Sequence, residues 1–208
     1  MVRLFFLFIF FTLHSSLFTL HSSLFTLHSS LFTLHSSLFT LHSSLFTYAQ
    51  VEAVDKDIVT LQIPHYDKDG KPVTGTLECN KSIAKDLQEI FAELYKAKYR
   101  IESMRPASEY GGDDDKMMEA NNTSCYNYRV MTGSKNKLSK HALGLAIDIN
   151  PLYNPYVKGN IVKPEAGRKY AKNPQIKKGD LIYRLFKKHG FKWGGEWRTL
   201  KDYQHFEK

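Results

Sequence analysis

The chain has 208 residues, of which 24% are charged, and a formal net charge of +8 at pH 7. The charge is unevenly distributed, because Arg3 is the only charged residue in positions 1–50. Positions 51–208 have the charge density of an ordinary soluble protein and a length that suits one domain with a hydrophobic core. The aromatic content excludes a fully disordered chain, and the density of charge excludes a polytopic membrane protein.

The N-terminal segment begins with MVRLFFLFIFF, one basic residue and then an apolar run, which is typical of an export signal. The heptapeptide FTLHSSL then occurs five times without change over Phe11–Leu45. Small residues at Thr47 and Ala49 predict cleavage after Ala49. We therefore expect residues 1–49 to be a signal peptide and residues 50–208 to be an exported domain, periplasmic or extracellular in a bacterium.

Other interpretations of the repeat are weaker. A coiled coil would need charges beside its Leu and Phe seam to fix partner and register, and the repeat supplies none. Metal binding by the five histidines of the repeat is disfavoured, because identical copies are typical of recent duplication rather than of a tuned site. An uncleaved membrane anchor is disfavoured because every heptad brings one His and two Ser into the span.

Two cysteines, Cys79 and Cys125, follow the leader. In an oxidising compartment they could form one disulfide, and two separate buried thiols are an equally good interpretation. Without Arg3, the net charge of the remaining domain is +7, which suits an anionic partner such as a cell wall or a nucleic acid. Its basic pairs are scattered rather than interleaved with stacking aromatic residues, so we expect no nucleic-acid binding, and we expect a monomer.

The first elements after the leader have clear signals. Residues 57–63 (DIVTLQI) predict a strand, and the run Asp67-Lys68-Asp69-Gly70 predicts a hairpin turn. The turn resembles a calcium loop, but Lys71 and Pro72 stand where a ligand and a glycine are required. A helix is predicted from Asn80, which can cap it, because apolar residues follow at helical spacing: Ile83, Leu87, Ile90, Phe91 and Leu94.

Further along, residues 105–125 are polar and predict a loop that contains the acidic run Asp113-Asp114-Asp115. A second helix is predicted from Asp180 to His189, ended by Gly190. Strands near the candidate ligands, with these two helices packed alongside, predict a compact α+β domain with a mainly antiparallel sheet.

The most informative stretch is Ser139-Lys140-His141-Ala142-Leu143-Gly144-Leu145-Ala146-Ile147-Asp148. On one continuous helix, His141 and Asp148 would lie about 10.5 Å apart along the axis, too far to bind one metal ion together. Gly144 allows a sharp turn instead, and the residues after it alternate as in a strand, with Asp148 facing away from the core. A histidine nitrogen and a carboxylate oxygen are a ligand pair that suits zinc.

A catalytic zinc usually has three protein ligands and one open position, so a third ligand is needed. His205 is the best candidate, in a short strand-like run close to the C-terminus. His65 adjoins a turn, and His189 closes a helix, where a cation suits the helix dipole. The sequence thus favours a metal site at His141, Asp148 and His205, against two hydrogen-bonded histidines beside a core aspartate.

These residues carry a family resemblance. The pattern Ser139-x-His141-x-x-Gly144-x-Ala146-x-Asp148, with Asp202-x-x-His205 downstream, resembles the D-alanyl-D-alanine carboxypeptidase family of zinc peptidases. Trp193-Gly194-Gly195-Glu196-Trp197 resembles the aromatic segment before the last ligand in the L-alanyl-D-glutamate endopeptidase-like, endolysin-type branch. The resemblance extends from about Ile83 to Glu207 and implies the α+β fold shared by these peptidases and hedgehog proteins. The repeat-bearing leader departs from the family pattern.

The resemblance implies a role for each matching residue. His141, Asp148 and His205 would be zinc ligands. Asp202 would be the general base, which takes a proton from the attacking water and passes it to the leaving amine. Because residues three apart on a regular strand face opposite sides, we expect Asp202 on a bend before the strand of His205.

The remaining assignments concern the surroundings of the metal. The resemblance suggests an arginine that stabilises the oxyanion; Arg129, on a strand beside His141, fits better than Arg100 or Arg105. Ser139 would orient His141 or its loop, unless it is a plain turn serine. Three aromatic residues would line the cleft, unless they belong to the core: Tyr128, Trp193 and Trp197.

The sequence therefore predicts a secreted zinc peptidase that cuts the stem peptides of peptidoglycan. The Trp193–Trp197 segment favours cleavage of L-Ala-D-Glu over removal of terminal D-Ala. The alternative is a non-catalytic module that binds the cell wall and keeps zinc for structure, since a shared fold alone does not imply activity. The presence of Asp202 argues against this alternative.

Overall fold

The structure is a computed structural model that describes residues 2–129 and 137–208, without the side chains of residues 2–18, 43 and 46–54. The chain divides into two compact units, Met1–Glu52 and Ala53–Lys208. The predicted cleavage site at Thr47 and Ala49 has side chains that lie outside this description.

The described part of the first unit is helical and belongs to helix α1, Val2–Asp55, whose last residues lie in the second unit. Its serine and threonine hydroxyls donate hydrogen bonds to carbonyl oxygens one turn back, as Ser29 does to Phe25 at 3.0 Å. The large apolar side chains of the repeat that are described, such as Leu24, are exposed. Among the described residues, no helix combines the length and apolar character needed to cross a membrane.

The second unit begins with a long hairpin, β1 (Ile58–Tyr66) and β2 (Pro72–Asn80), paired antiparallel from end to end. Its turn forms as predicted, because Asp67 Oδ1 accepts hydrogen bonds from the N–H groups of Asp69 and Lys71. These bonds use the Asp67 carboxylate within the turn itself, which confirms the hairpin interpretation over a calcium loop.

Helix α2, Lys81–Lys96, follows the hairpin directly. Asn80 caps it, with its side-chain oxygen accepting from the N–H of Ser82 at 3.0 Å. All five residues of the predicted apolar stripe are buried, and they form one core cluster with the inner face of the hairpin and with helix α4 (Leu181–Lys188). Asp180 caps α4, and Gly190 follows it with φ +83°, as expected.

The strands after the hairpin are short: β3 (Ser103–Met104), β4 (Asn122–Thr123), β5 (Ala146–Asp148), β6 (Tyr156–Lys158), β7 (Ile161–Lys163), β8 (Lys192–Trp193), β9 (Lys201–Asp202) and β10 (His205–Glu207). In the described part of the second unit, the strands form four small sheets. Three are antiparallel, with strand orders β1-β2, β5-β10-β8 and β7-β6-β9, and the pair β3-β4 is parallel. Helices and small, mostly antiparallel sheets confirm the predicted α+β class.

The segment 105–125 differs from the predicted loop. It contains a 3₁₀ helix, Ala107–Tyr110, and helix α3, Asp114–Glu119. Asp113 caps α3 by accepting from the N–H of Lys116. Six helical residues are too few to produce a recognisable apolar period, so polarity alone misled the sequence reading. Three further 3₁₀ helices lie at His141–Leu143, Glu165–Tyr170 and Gly194–Glu196.

The two cysteines are free thiols in this structure. Cys79 and Cys125 are both fully enclosed in the core, so of the two interpretations left open by the sequence, the structure has the separate buried thiols. Burial raises the pKa of the Cys79 thiol to about 12, which keeps it protonated and unreactive at neutral pH.

Candidate metal centre

The His141 side chain is positioned by a tight turn. Its 3₁₀ helix ends at Gly144, whose φ of +64° lies in the left-handed region that favours glycine. A Cβ on Gly144 would lie only 2.6 Å from the Asn80 backbone nitrogen, so the turn packs tightly against the start of α2. Ser139 Oγ accepts a hydrogen bond from the N–H of Ala142 at 3.0 Å, which places the predicted contribution of Ser139 in the loop rather than on the ring.

The tautomer of His141 follows from its second contact. Its Nδ1 lies 2.8 Å from the carbonyl oxygen of Cys125. A carbonyl oxygen only accepts, so Nδ1 donates a proton to it, and Nε2 is the ring nitrogen left to face a metal ion. This is the arrangement that a metal-binding histidine requires.

Asp148 and His205 come from neighbouring strands. Strands β5 and β10 pair antiparallel with His205 directly opposite Asp148, so the two side chains project from the same face. Asp148 Oδ1 lies 3.0 Å from His205 Nδ1. On the other face of β5, Ile147 is fully buried in the core, as the predicted alternation requires.

The three side chains converge on one point. All are buried, and one ligand atom from each lies within 4.8 Å of the others. His141 Nε2 lies 3.2 Å from His205 Nδ1 and 3.3 Å from Asp148 Oδ2. Ligands about 2.0–2.1 Å from a tetrahedral zinc ion would be about 3.3 Å apart, which is close to these separations. The group can therefore bind a metal ion, as predicted.

The electrostatics of this group favour a positive charge at its centre. Burial opposes ionisation of Asp148, but the adjacent His141 and His205 hold its pKa well below the usual range. Burial likewise opposes protonation of His205, yet hydrogen bonds to Asp148 and Glu207 raise its pKa to about 10. The carboxylates thus attract a cation into a buried position, which a divalent metal ion would satisfy.

Glu207 is a residue of the site that sequence reasoning missed. His205 Nε2 lies 3.4 Å from Glu207 Oε2, on the side of the ring away from Asp148. Glu207 follows His205 by two residues on β10, and residues two apart share one face of a strand. That spacing was the available signal, and the carboxylate is placed to hold the second ring nitrogen as a donor.

Asp202 lies on β9, in a different sheet from His205. Asp202 itself is in a strand rather than on the predicted bend, and the bend lies at the next two residues, Tyr203 and Gln204. Asp202 Oδ1 is buried and has no hydrogen-bond partner among the described residues. Burial raises the pKa of Asp202 to about 6 against the opposing effect of His205, so the carboxyl can exchange a proton near neutral pH.

The Trp193–Trp197 segment supports both ligand and base. A Cβ on Gly194 would lie 2.6 Å from the Asp202 carbonyl oxygen, so a glycine is needed where the two backbones approach. The ring of Trp197 lies 5.3 Å from that of His205, centroid to centroid, and lines the cavity. Trp193 is instead buried in the core with its Nε1–H donating to the Tyr203 carbonyl, and so does not line the cleft.

Arg129 reaches the cavity from a segment without strand structure, which corrects the predicted strand. The segment still runs beside the His141 loop, because the Arg129 carbonyl accepts from the N–H of Ser139. The guanidinium lies 3.1 Å from Asp114 Oδ2, and its buried Nε has no partner among the described residues. Tyr128 does not line the cavity, and neither do the weaker candidates Arg100 and Arg105.

The predicted residues meet in one cavity of about 630 Å³. The sequence predicted its candidate metal ligands, Asp202, Arg129, Ser139 and Trp197. It gave no signal for residues that come from distant segments without a local pattern, above all Tyr156, Lys163 and Gln204. The cavity is lined by Asp114, Met118, Arg129, Lys137, Leu138, Ser139, Lys140, His141, Leu143, Asp148, Tyr156, Lys163, Trp197, Leu200, Asp202, Gln204, His205 and Glu207.

Comparison with known proteins agrees with this site. The family model described as D-alanyl-D-alanine carboxypeptidase matches residues 132–208. No solved structure matches the chain. The match agrees with the resemblance in the motif, and the matched segment 132–208 holds all three candidate metal ligands and Asp202.

Proposed function

We propose that this protein is a secreted zinc metallopeptidase that hydrolyses peptide bonds in the stem peptides of peptidoglycan. The observation that carries the proposal is the buried group His141, Asp148 and His205 in one cavity with Asp202, whose Oδ1 has no hydrogen-bond partner among the described residues. The family match supports a peptidase, and the donor set of two imidazoles and one carboxylate favours zinc.

The residues around the metal divide the chemistry among them. Zinc, when bound, supplies a Lewis acid that polarises a carbonyl group and acidifies water. Asp202 accepts a proton from the attacking water and delivers it to the leaving amine, because its carboxyl titrates close to neutral pH. Arg129 directs a guanidinium towards the same cavity and stabilises the developing negative charge, with Asp114 holding it in place.

The substrate class follows from the charge and the resemblance together. The domain after the leader has a net charge of +7, and cationic residues such as Lys137, Lys140 and Lys163 line the cavity. A basic surface of this kind suits the anionic bacterial wall. We propose that residues 1–49 direct export and that residues 50–208 act as a monomer in the periplasm or outside the cell.

We favour cleavage of the L-Ala-D-Glu bond over removal of terminal D-Ala. The segment Trp193–Trp197 resembles that of the endopeptidase-like branch. It contacts both the proposed base, Asp202, and the candidate ligand His205. Gly194 packs on the Asp202 backbone, and the Trp197 ring flanks His205 within the cavity. A peptide that extends beyond the scissile bond on both sides would use this wall of the cleft.

The test combines metal stoichiometry with product analysis on purified peptidoglycan. The wild type is expected to hold one zinc ion per chain and to release products of L-Ala-D-Glu cleavage, identified by mass spectrometry. His205→Ala should lose zinc and activity together. Asp202→Asn should keep zinc and lower kcat about 10²- to 10⁴-fold, the usual contribution of a general base.

Each part of the proposal has an outcome that contradicts it. Loss of a single D-Ala as the only change would exclude the endopeptidase assignment. Equal loss of zinc in Asp202→Asn would mean that base and ligand are wrongly assigned. A wild type that binds purified wall but cuts nothing would instead establish the non-catalytic wall-binding module.

A further inference from the structure

Gln204 lies between the candidate base and the last candidate ligand in the sequence. Its carbonyl oxygen accepts from the N–H of Ile149 at 3.0 Å, which fixes its backbone to the end of β5. Its side chain is only 2% exposed and still lines the cavity. This buried amide therefore borders the same cavity as Asp202 and His205.

The protein supplies hydrogen-bond partners for only part of the Gln204 amide. Its Nε2 donates to the Met118 sulfur at 3.6 Å, and a thioether is a weak acceptor. A hydrogen bond from the same side chain also acts to lower the pKa of Asp202. The Oε1 of Gln204 is buried and has no hydrogen-bond partner in the described parts of the chain. Buried amide oxygens normally accept a hydrogen bond, because leaving one unpaired is unfavourable.

Two other buried polar atoms have no partner in the described ranges 2–129 and 137–208, and both belong to residues that line the same cavity. They are Asp202 Oδ1 and Arg129 Nε. Asp202 and Arg129 already have proposed roles in the reaction, whereas Gln204 has no proposed role. Three unpaired polar atoms around one cavity form a set of hydrogen-bonding positions that a bound polar molecule would complete.

We propose that Gln204 Oε1 accepts a backbone N–H of the bound peptide, which makes Gln204 a substrate-binding residue that sets the position of the peptide beside the scissile bond. The inference rests on the proposed peptidase function for the identity of the ligand. A peptide N–H is the donor that every stem peptide offers next to the scissile bond, and the amide oxygen is a neutral acceptor that tolerates the nearby carboxylates. Substrate binding would satisfy an atom that the free protein leaves unpaired.

The variant that tests this is Gln204→Met, which removes the amide and keeps the length of the side chain. With a synthetic stem peptide that contains both L-Ala-D-Glu and D-Ala-D-Ala, KM should rise about tenfold, the usual effect of losing one hydrogen bond to a bound ligand. The thermal midpoint of the substrate-free variant should stay equal or rise, because an unpaired buried polar group has been removed. Zinc content should not change, and Gln88→Met, at an exposed position on α2, is the matched control.

A second measurement changes the ligand instead of the protein. In ester analogues of the peptide, one N–H at a time next to the scissile bond is replaced by oxygen. One analogue should bind the wild type about tenfold more weakly, and the same replacement should cost Gln204→Met little, because the two changes remove the same hydrogen bond. If the wild type binds every ester analogue as tightly as the amide peptide, Gln204 does not accept a peptide N–H.

The outcomes separate this inference from the proposed function. A wild type that binds the peptide without cutting it, with binding weakened in Gln204→Met, would refute the peptidase and leave the Gln204 contact standing. A wild type that cuts the peptide with the same KM as Gln204→Met would do the reverse. A lower thermal midpoint with unchanged peptide affinity would show that Gln204 is structural, and a wild type that neither binds nor cuts the peptide would overturn both proposals.

Discussion

The two candidate histidine ligands differ in what holds the ring nitrogen that faces away from the metal position. His141 donates its Nδ1–H to a backbone carbonyl, whose position is set by the fold and whose charge is fixed. His205 instead has a carboxylate, Glu207, at its outer nitrogen. A carboxylate makes an imidazole more basic and a stronger metal ligand than a carbonyl does. We therefore expect the affinity for the metal to depend on the side chain of Glu207, which is not itself a candidate ligand.

Glu207→Gln tests that dependence. The amide can still accept a hydrogen bond but carries no charge, so we expect the zinc dissociation constant to rise about 10- to 100-fold. Competition with a chelator measures the constant, and the spectrum of the cobalt-substituted protein reports on ligand geometry. Glu89→Gln on the exposed face of α2 serves as the control. An unchanged dissociation constant would mean that Glu207 does not support His205.

Structural elements, rather than single residues, bring the ligands together. His141 stands on a 3₁₀ helix, while Asp148 and His205 face each other across β5 and β10. Gly144 joins the first of these elements to the second, and its backbone packs against the start of α2. The geometry of the site thus depends on a turn that only glycine adopts without strain.

Gly144→Ala should therefore damage both stability and metal binding. The added methyl group would meet the Asn80 nitrogen at 2.6 Å and the Ile58 side chain at 2.7 Å, in addition to the left-handed φ. We expect a loss of about 1–3 kcal/mol in the free energy of unfolding and weaker zinc binding. Denaturant unfolding and chelator competition measure the two effects.

Gly179→Ala is the control that separates the effect of backbone strain from the effect of the steric contact. Gly179 also has a positive φ, of +88°, but a Cβ there would meet no atom within 4 Å. Its substitution should cost only the backbone strain and leave zinc binding unchanged. If the two variants had the same zinc dissociation constant, the contact of Gly144 with α2 would have no influence on the metal site.

The success of sequence reasoning followed the length of each signal. The hairpin turn at 67–70, helix α2 and the ligand motif each have several fixed positions within about a dozen residues, and all three were predicted. Helix α3 was missed because six residues give no period. Gln204 and Tyr156 were missed because only the tertiary fold brings them to the cavity, and no local pattern carries that information.

At the scale of the whole molecule, composition and structure divide the chain at nearly the same place. The N-terminal segment with Arg3 as its one charged residue ends near position 50, and the division between the two compact units falls between Glu52 and Ala53. All three candidate ligands and the whole cavity belong to the second unit. Five of the nine histidines lie in the leader, so a count of histidines alone would misjudge the capacity of the chain for metal.

Removal of residues 1–49 should therefore leave the metal centre intact. We expect a chain of residues 50–208 to bind one zinc ion with the dissociation constant of the full chain, and to unfold at the same thermal midpoint. Among the described side chains, every member of the core cluster of the second unit lies at position 59 or later, so that core is formed by residues that the truncation keeps. Equilibrium dialysis followed by elemental analysis gives the stoichiometry. More than one tightly bound zinc ion in the full chain, reduced to one by the truncation, would assign metal binding to the repeat histidines and contradict the interpretation of the leader as an export signal alone.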